Sequence, residues 1–312
     1  MTATAASRKA VKSQEVIVKR LGQSLGAEIR GIDLSLPLDD ETFKQIAKAF
    51  FENEVVFFRN QKITPEQQIA FTRRFGVLEQ HVRKEHRLEG YPEILIVSNV
   101  LDAQGKAIGV EDAGRFWHSD LSYKREPSLL SALYALEVPV KDGVVLGHTN
   151  FASTTAAYDA LPEDMKQRLQ PLKNIHSYPY YRAKNIAAQK QEQAQGKRTV
   201  QEHHLTPEQI ASVPDSEAPI VRPHPVTGRK GLFLNEAHTS RIAGLPKEEG
   251  DALLKQLCAH IIKPEFQYEH HWQAGDLLMW DNAAAQHKAN FNYDLPLRRL
   301  MHRTTVRGPA VA

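Results

Sequence analysis

Apolar residues recur in two rhythms along this chain. Alternating or short continuous apolar runs mark strands, and spacings of three and four mark helices. Asp39-Asp40-Glu41 opens a segment with apolar positions at Phe43, Ile46, Ala47 and Phe50. This predicts a helix whose acidic start suits the positive end of its dipole. Val55-Val56-Phe57-Phe58 predicts a buried strand, and Thr64-Pro65-Glu66-Gln67 has the form of a capping box with proline in the first turn. Gly76 is the expected stop of that second helix. Further on, Leu129 to Leu136 predicts a strand and Glu248 to Ile262 an apolar-periodic helix. Leu277-Leu278-Met279-Trp280 predicts another buried strand, set between the turn residues Gly275-Asp276 and Asp281-Asn282.

Helices and short strands come first, then longer strands broken by insertions. That order predicts a mainly β protein with flanking helices, built on a double-stranded β-helix (jelly-roll) core. No Gly/Ser- or Pro-rich linker divides the chain, so residues 16–312 are expected to form a single catalytic domain. Residues 1–15 are polar and basic up to Glu15, as in a disordered tail. Two stretches lack strong periodicity, 81–115 and 176–219. Long irregular segments in compact domains are usually functional or disordered, so both are expected to be lid-like insertions. For the second, a solvated helical excursion or a subunit contact is an equal alternative. Its Tyr178, Tyr180 and Tyr181 either line an aromatic pocket or, the reading slightly preferred, are packing or surface residues of the insertion.

Composition narrows the function. Of 312 residues, 41% are hydrophobic, enough to bury a full core. A net charge of +3 gives no argument for nucleic acid. The single Cys258 excludes a disulfide framework and, lying in a predicted helix, is expected simply to pack. No apolar run is long enough to cross a membrane, and no secretory signal opens the chain, so a cytoplasmic protein is expected.

The candidate chemistry lies in three places. Trp117-His118-Ser119-Asp120 supplies a His-x-Asp pair, and Arg115 to His118 reads as β-structure. On a strand His118 and Asp120 would point to the same side and could bind one ion. His287 follows Trp280-Asp281-Asn282 and is a candidate third ligand. Two histidines and one carboxylate on one face of an iron leave positions open for substrates, the arrangement of non-heme Fe(II) oxygenases. The third place is Arg298 to Val306. Strand parity puts Arg299, Met301, Arg303 and Thr305 on one face and Leu300, His302, Thr304 and Val306 on the other. Paired arginines suit a carboxylate held by two parallel hydrogen bonds, here a dianionic co-substrate. Parity favours Arg299 over Arg298, with a slip of register as the alternative. The adjacent pairs His203-His204 and His270-His271 are not read as ligands, because neighbours on a strand face opposite ways.

With these residues in view, the chain resembles the taurine dioxygenase and 2,4-dichlorophenoxyacetate dioxygenase family. The resemblance runs from about Val16 to Gly308. It includes Leu25-Gly26-Ala27-Glu28-Ile29, Gly31-Ile32-Asp33-Leu34, Val55 to Arg59, Thr64 to Gln68, Phe75-Gly76, Thr227-Gly228-Arg229-Lys230, Leu234-Asn235-Glu236, Gly275-Asp276 and Trp280-Asp281-Asn282. The resemblance implies an Fe(II)- and 2-oxoglutarate-dependent dioxygenase with His118, Asp120 and His287 as iron ligands. It also implies that Thr149 and Arg299 hold the distal carboxylate of 2-oxoglutarate, and that Arg303 and His81 reach an anionic group of the substrate. O2 would oxidise 2-oxoglutarate to succinate and CO2 while a substrate C–H is hydroxylated. C–O or C–S cleavage would follow if the carbon carries an ether, sulfate or sulfonate. The expected substrate is a small carboxylate, sulfonate or sulfate ester, and the expected assembly a homodimer or homotetramer. Two departures stand out. Leu146-Gly147-His148-Thr149 replaces the family's Gly-Gly-Asp-Thr, and the interval from His287 to the arginine pair is one residue longer than usual. The competing readings are a zinc-dependent hydrolase and a non-enzymatic, metal-dependent binder on the same scaffold.

Overall fold

Leu278 and Trp280 face one way and Leu277 and Met279 the other, and all four are almost wholly buried. A strand covered on both faces needs a layer on each side. The computed structural model describes residues 14–311 except 82–83, 112 and 196–205. The expected tail lies almost entirely outside the described residues, as does the His203-His204 pair.

The strand Leu277–Asp281 sits inside an eight-stranded sheet. Its order is Ile17–Arg20, Ala27–Arg30, Val55–Phe58, Leu277–Asp281, Ser128–Glu137, Leu300–Arg307, Tyr91–Ser98, Arg87–Leu88. A three-stranded sheet of Gln267–His270, Thr149–Ser153 and Ala285–Ala289 faces it. These are the two walls of the double-stranded β-helix. Register fixes which side chains look inward. Leu278 pairs with Phe57 and Leu133, Met301 with Ala135 and Val97, and Arg303 with Leu133 and Leu95. Val55, Phe57, Leu95, Val97, Leu133, Leu278, Trp280 and Met301 accordingly pack against Phe151, Trp272 and Ala285 between the sheets.

The outer face of the large sheet is covered by helices. Asp40–Asn53 is capped by Asp39, whose carboxylate accepts from Thr42 N at 2.7 Å. It lays Ile46, Ala49 and Phe50 onto Val56, Phe58, Leu277 and Met279. Pro65–Arg73 carries the expected capping box at Thr64 and Gln67 and contributes Ile69 and Phe71 to the same core. The helix Lys247–Ile261 buries Leu253, Leu257 and Ile261 in a third cluster with Leu169, Ile220 and Ile242, and Cys258 packs partly buried there.

Two expectations need correction and a third had two alternatives. Residues 81–115 are not simply a lid, because Tyr91–Ser98 is an eight-residue strand paired with Leu300–Arg307. For residues 176–219 the helical alternative is the one present: after the last residue of the strand Lys173–His176, 17 residues form the helix Tyr178–Ala194, started by Ser177 as N-cap and Pro179 in the first turn. Arg115 to Trp117 is not a strand. Only His118 makes a β-bridge, to His287, and Leu121 at φ 55° turns the chain away soon after.

Candidate active site

His118 and His287 exchange both backbone hydrogen bonds, at 3.1 and 2.8 Å. This single bridge brings residues 169 positions apart side by side, with ring centroids 4.0 Å apart. His118, Asp120 and His287 are buried and offer ligand atoms that lie within 4.8 Å of one another. The side-chain convergence expected of His-x-Asp is therefore present, although one bridge rather than a strand creates it.

Each donor is held. His118 Nδ1 lies 2.9 Å from the Phe116 carbonyl, so Nδ1–H donates there and Nε2 is left with its lone pair. Nε2 is 3.7 Å from Asp120 Oδ1. Asn282 Oδ1 accepts from Asp120 N at 2.9 Å and from Trp280 Nε1 at 3.0 Å. Its Nδ2 donates to Ser131 Oγ at 3.1 Å, and Ser131 donates to Asp120 Oδ2 at 2.6 Å. Arg303 Nη1 donates to the other carboxylate oxygen, Asp120 Oδ1, at 3.1 Å. Burial alone would raise the Asp120 carboxyl, but Arg303 and the two imidazoles hold it well below the usual carboxylate range. Burial, reinforced by His118, holds His287 well below the usual imidazole range, and its ring lies against Trp280 at 4.6 Å. Neutral imidazole and charged carboxylate are the states that ligate metal.

A cavity of about 420 Å³ runs from His118 and His287 between the sheets, lined by Val97, Leu133, Thr149, Trp280, Arg299 and Arg303 among others. Thr149 Oγ1 accepts from Trp272 Nε1 at 3.0 Å. Arg299 is 5% exposed, and among the described residues no carboxylate pairs with its guanidinium. Arg298, by contrast, points outward and makes two hydrogen bonds to Glu137 at 2.7 and 2.9 Å. The parity reading thus holds: Arg299 and Arg303 face inward and Arg298 does not. A buried cation without a counter-ion is costly, which marks the far end of this cavity as a place for an anion.

A second cavity, about 660 Å³, opens beside His118 and Asp120. Arg303 and His81 line it, so the structure brings together the two residues expected to meet a substrate. The preferred reading of the tyrosines is overturned in part. Tyr178 and Tyr181 line this cavity from the helix above it, whereas Tyr180 is 39% exposed. The sequence reading missed Tyr123, Arg182 and His238, which complete the wall. Tyr123 lies 4.8 Å from Tyr178 and 5.0 Å from His238, and Tyr181 lies 4.9 Å from His238. Burial, helped by His118, keeps His238 well below the usual range, and burial keeps Tyr123 protonated. Asn235 was visible only as part of a family match. Its Oδ1 accepts from His238 N at 2.8 Å, and its Nδ2 donates to Ser122 Oγ at 3.0 Å. His270 and His271 face opposite ways as expected, His270 inward to Asp276 at 3.1 Å and His271 outward to Glu269.

The taurine catabolism dioxygenase TauD, TfdA family matches residues 17–305. The chain belongs to that family. It is 33% identical over 305 residues to an alpha-ketoglutarate-dependent 2,4-dichlorophenoxyacetate dioxygenase of Cupriavidus pinatubonensis, covering 95% of this chain and 99% of the relative. It is 32% identical over 291 residues to a pentalenolactone F synthase of Streptomyces avermitilis, covering 90% of each chain. The crystal structure of AAD-2 in complex with Mn(II) and N-oxalylglycine superposes with a TM-score of 0.76 at 30% identity, covering 95% of this chain and 99% of that one. The protein is thus a 2-oxoglutarate-dependent dioxygenase, and the hydrolase and non-enzymatic readings fall away. Among the described residues no helix is long and apolar enough to cross a membrane.

Proposed function

We propose that His118, Asp120 and His287 hold Fe(II), that Arg299 and Thr149 hold the C5 carboxylate of 2-oxoglutarate, and that the second cavity takes a small organic anion with a flat apolar body. The observation that carries this reading is that two members of the triad, His118 and His287, share one cavity with the uncompensated Arg299. The donor set fits a hard-to-borderline metal such as Fe(II) and leaves one side open to the cavity. When bound, the iron would couple oxidative decarboxylation of 2-oxoglutarate to hydroxylation of a substrate C–H.

The chain's own part is placement and exclusion of water. Arg299 would offer a two-pronged hydrogen bond to the carboxylate, with Thr149 steered by Trp272. Ser131, Asn282 and Arg303 fix Asp120 on both oxygens. On the substrate side, Arg303, Arg182 and His81 supply positive or donor character, and Tyr123, Tyr178 and Tyr181 supply flat apolar surface. This wall supports an aromatic or similarly flat carboxylate, sulfonate or sulfate ester over a compact aliphatic one. The helix Tyr178–Ala194 supports the lid reading of its segment, since its Tyr178, Tyr181 and Arg182 line the cavity, and Glu192 and Lys184 tie it to Arg115 at 2.6 Å and to Glu236 at 3.0 Å.

The test is an anaerobic visible spectrum of the Fe(II) protein before and after 2-oxoglutarate. A new charge-transfer band, absent in His118→Ala, is expected. Succinate release over a panel of aryloxyacetates, aryl sulfates, alkyl sulfates and alkyl sulfonates then ranks substrates. No band in folded, iron-loaded protein would sink the cofactor assignment. A band with turnover of compact aliphatic anions alone would sink the flat-substrate part.

A further inference from the structure

We infer that His148, Glu269 and His271 form a second metal site, on the outer face of the three-stranded sheet, for a divalent ion of borderline softness such as Zn(II). The inference is independent of what the catalytic cavity binds. Gln267–His270 pairs with Thr149–Ser153 so that Glu269 lies opposite Asn150 and His270 opposite Thr149. One further step of the same register sets His271 opposite His148. Thr149 and His270 point inward, so His148, Glu269 and His271 share the outward side. Glu269-x-His271 thus repeats on the outside the i, i+2 logic that His118 and Asp120 use within.

The three side chains converge. Glu269 Oε1 lies 3.3 Å from His148 Nδ1 and 3.1 Å from His271 Nε2, and the two imidazole centroids are 3.9 Å apart. All three donor atoms lie within 4.8 Å of one another. Zinc bonds of roughly 2.0–2.1 Å in tetrahedral geometry put neighbouring ligand atoms about 3.3 Å apart, so little movement is required. Glu269 is also aimed. Asn150 Nδ2 donates to its Oε2 at 3.0 Å, and Asn150 itself accepts from Asn290 Nδ2 at 3.0 Å. That leaves Oε1 for the histidine side, the outer support a metal carboxylate needs. Two imidazoles and one carboxylate suit Zn(II), Ni(II) or Cu(II) better than Mg(II) or Ca(II), and water would fill the remaining position. His148 is one of the two positions, with Leu146, at which Leu146-Gly147-His148-Thr149 departs from the Gly-Gly-Asp-Thr pattern.

The test is zinc stoichiometry by mass spectrometry of the full chain after equilibrium dialysis at micromolar free Zn(II). Wild type is expected to hold two equivalents. His271→Ala and Glu269→Gln are each expected to keep one, and His118→Ala to keep the other. His271 is largely exposed, so circular dichroism should show these outer variants folded. One equivalent in wild type, lost in His118→Ala, would overturn the site and leave three hydrogen-bonded side chains. A second equivalent that survives both His271→Ala and Glu269→Gln would overturn it as well, by placing the ion elsewhere.

Discussion

Ser131 and Asp120 are joined across the interior by a 2.6 Å hydrogen bond, on the carboxylate oxygen that Arg303 does not reach. Asp120 is thereby fixed at both ends before any metal arrives. Supports of this kind tune affinity without touching the ion. Ser131→Ala is expected to weaken Fe(II) or Co(II) binding roughly 10- to 100-fold. Asn282 Nδ2 also loses its acceptor, so urea unfolding should show a loss of about 1–3 kcal/mol. Metal titration followed by visible absorption of the Co(II) protein measures the first effect. Unchanged affinity in a folded variant would show that Ser131 is only a packing residue.

Arg299 and Arg298 are neighbours in sequence with opposite surroundings. Charge-assisted hydrogen bonds contribute about 1.5–3 kcal/mol. Arg299→Ala should therefore raise the Kd for 2-oxoglutarate roughly 10- to 100-fold, read from the charge-transfer band. Arg298→Ala removes an exposed pair with Glu137, and such pairs contribute about 0–1 kcal/mol. It should leave the band titration unchanged. The reverse ranking would mean that the co-substrate is anchored in another register.

Tyr181 and Tyr180 make a similar contrast one helix position apart. Aromatic contacts add about 0.5–1.5 kcal/mol beyond area burial. Tyr181→Ala is expected to raise substrate KM roughly 3- to 10-fold, with the 2-oxoglutarate Kd unchanged. Tyr180→Ala should do neither. Steady-state succinate assays on the best aryl substrate decide it, and equal effects of the two variants would remove the aromatic wall from the substrate argument.

These contrasts also show what could be read from the residues alone. Arg299, Met301 and Arg303 were legible because strand parity has a period of two and Met301 is an unmistakable core residue. The capping box at Thr64 was legible because its hydrogen bonds are local. The strand Tyr91–Ser98 was hidden by Pro92 at its start, which removes a ladder donor and weakens the strand signal. The helix Tyr178–Ala194 was hidden for a different reason. Its buried positions include Arg182, Asn185 and Gln189, so the inward face is polar and shows no apolar stripe. Tyr123 and His238 meet only in three dimensions, 115 residues apart, and nothing local announces the contact. The cluster at His148 was missed because His271 was judged against His270, its neighbour in sequence, and not against its partner across the sheet.

A buried acid gives the last prediction. Glu54 follows the helix Asp40–Asn53 and is 1% exposed, with Thr155 and Arg229 donating to Oε1. Burial pushes its carboxyl up to about 7, and the Thr155 hydrogen bond offsets only part of that. The folded state therefore holds this proton at pH values where the unfolded chain has released it. Stability from this group is fully present below about pH 4.5 and is lost as pH rises to about 7. A shift of this size corresponds to about 3 kcal/mol. Glu54→Gln carries no proton to lose, so its unfolding free energy should fall less than that of wild type over this window. Urea unfolding at pH 5 and pH 8 measures the difference. Parallel pH profiles for wild type and Glu54→Gln would show that Arg229 and solvent already stabilise the charged carboxylate, and that Glu54 is ionised in the folded protein.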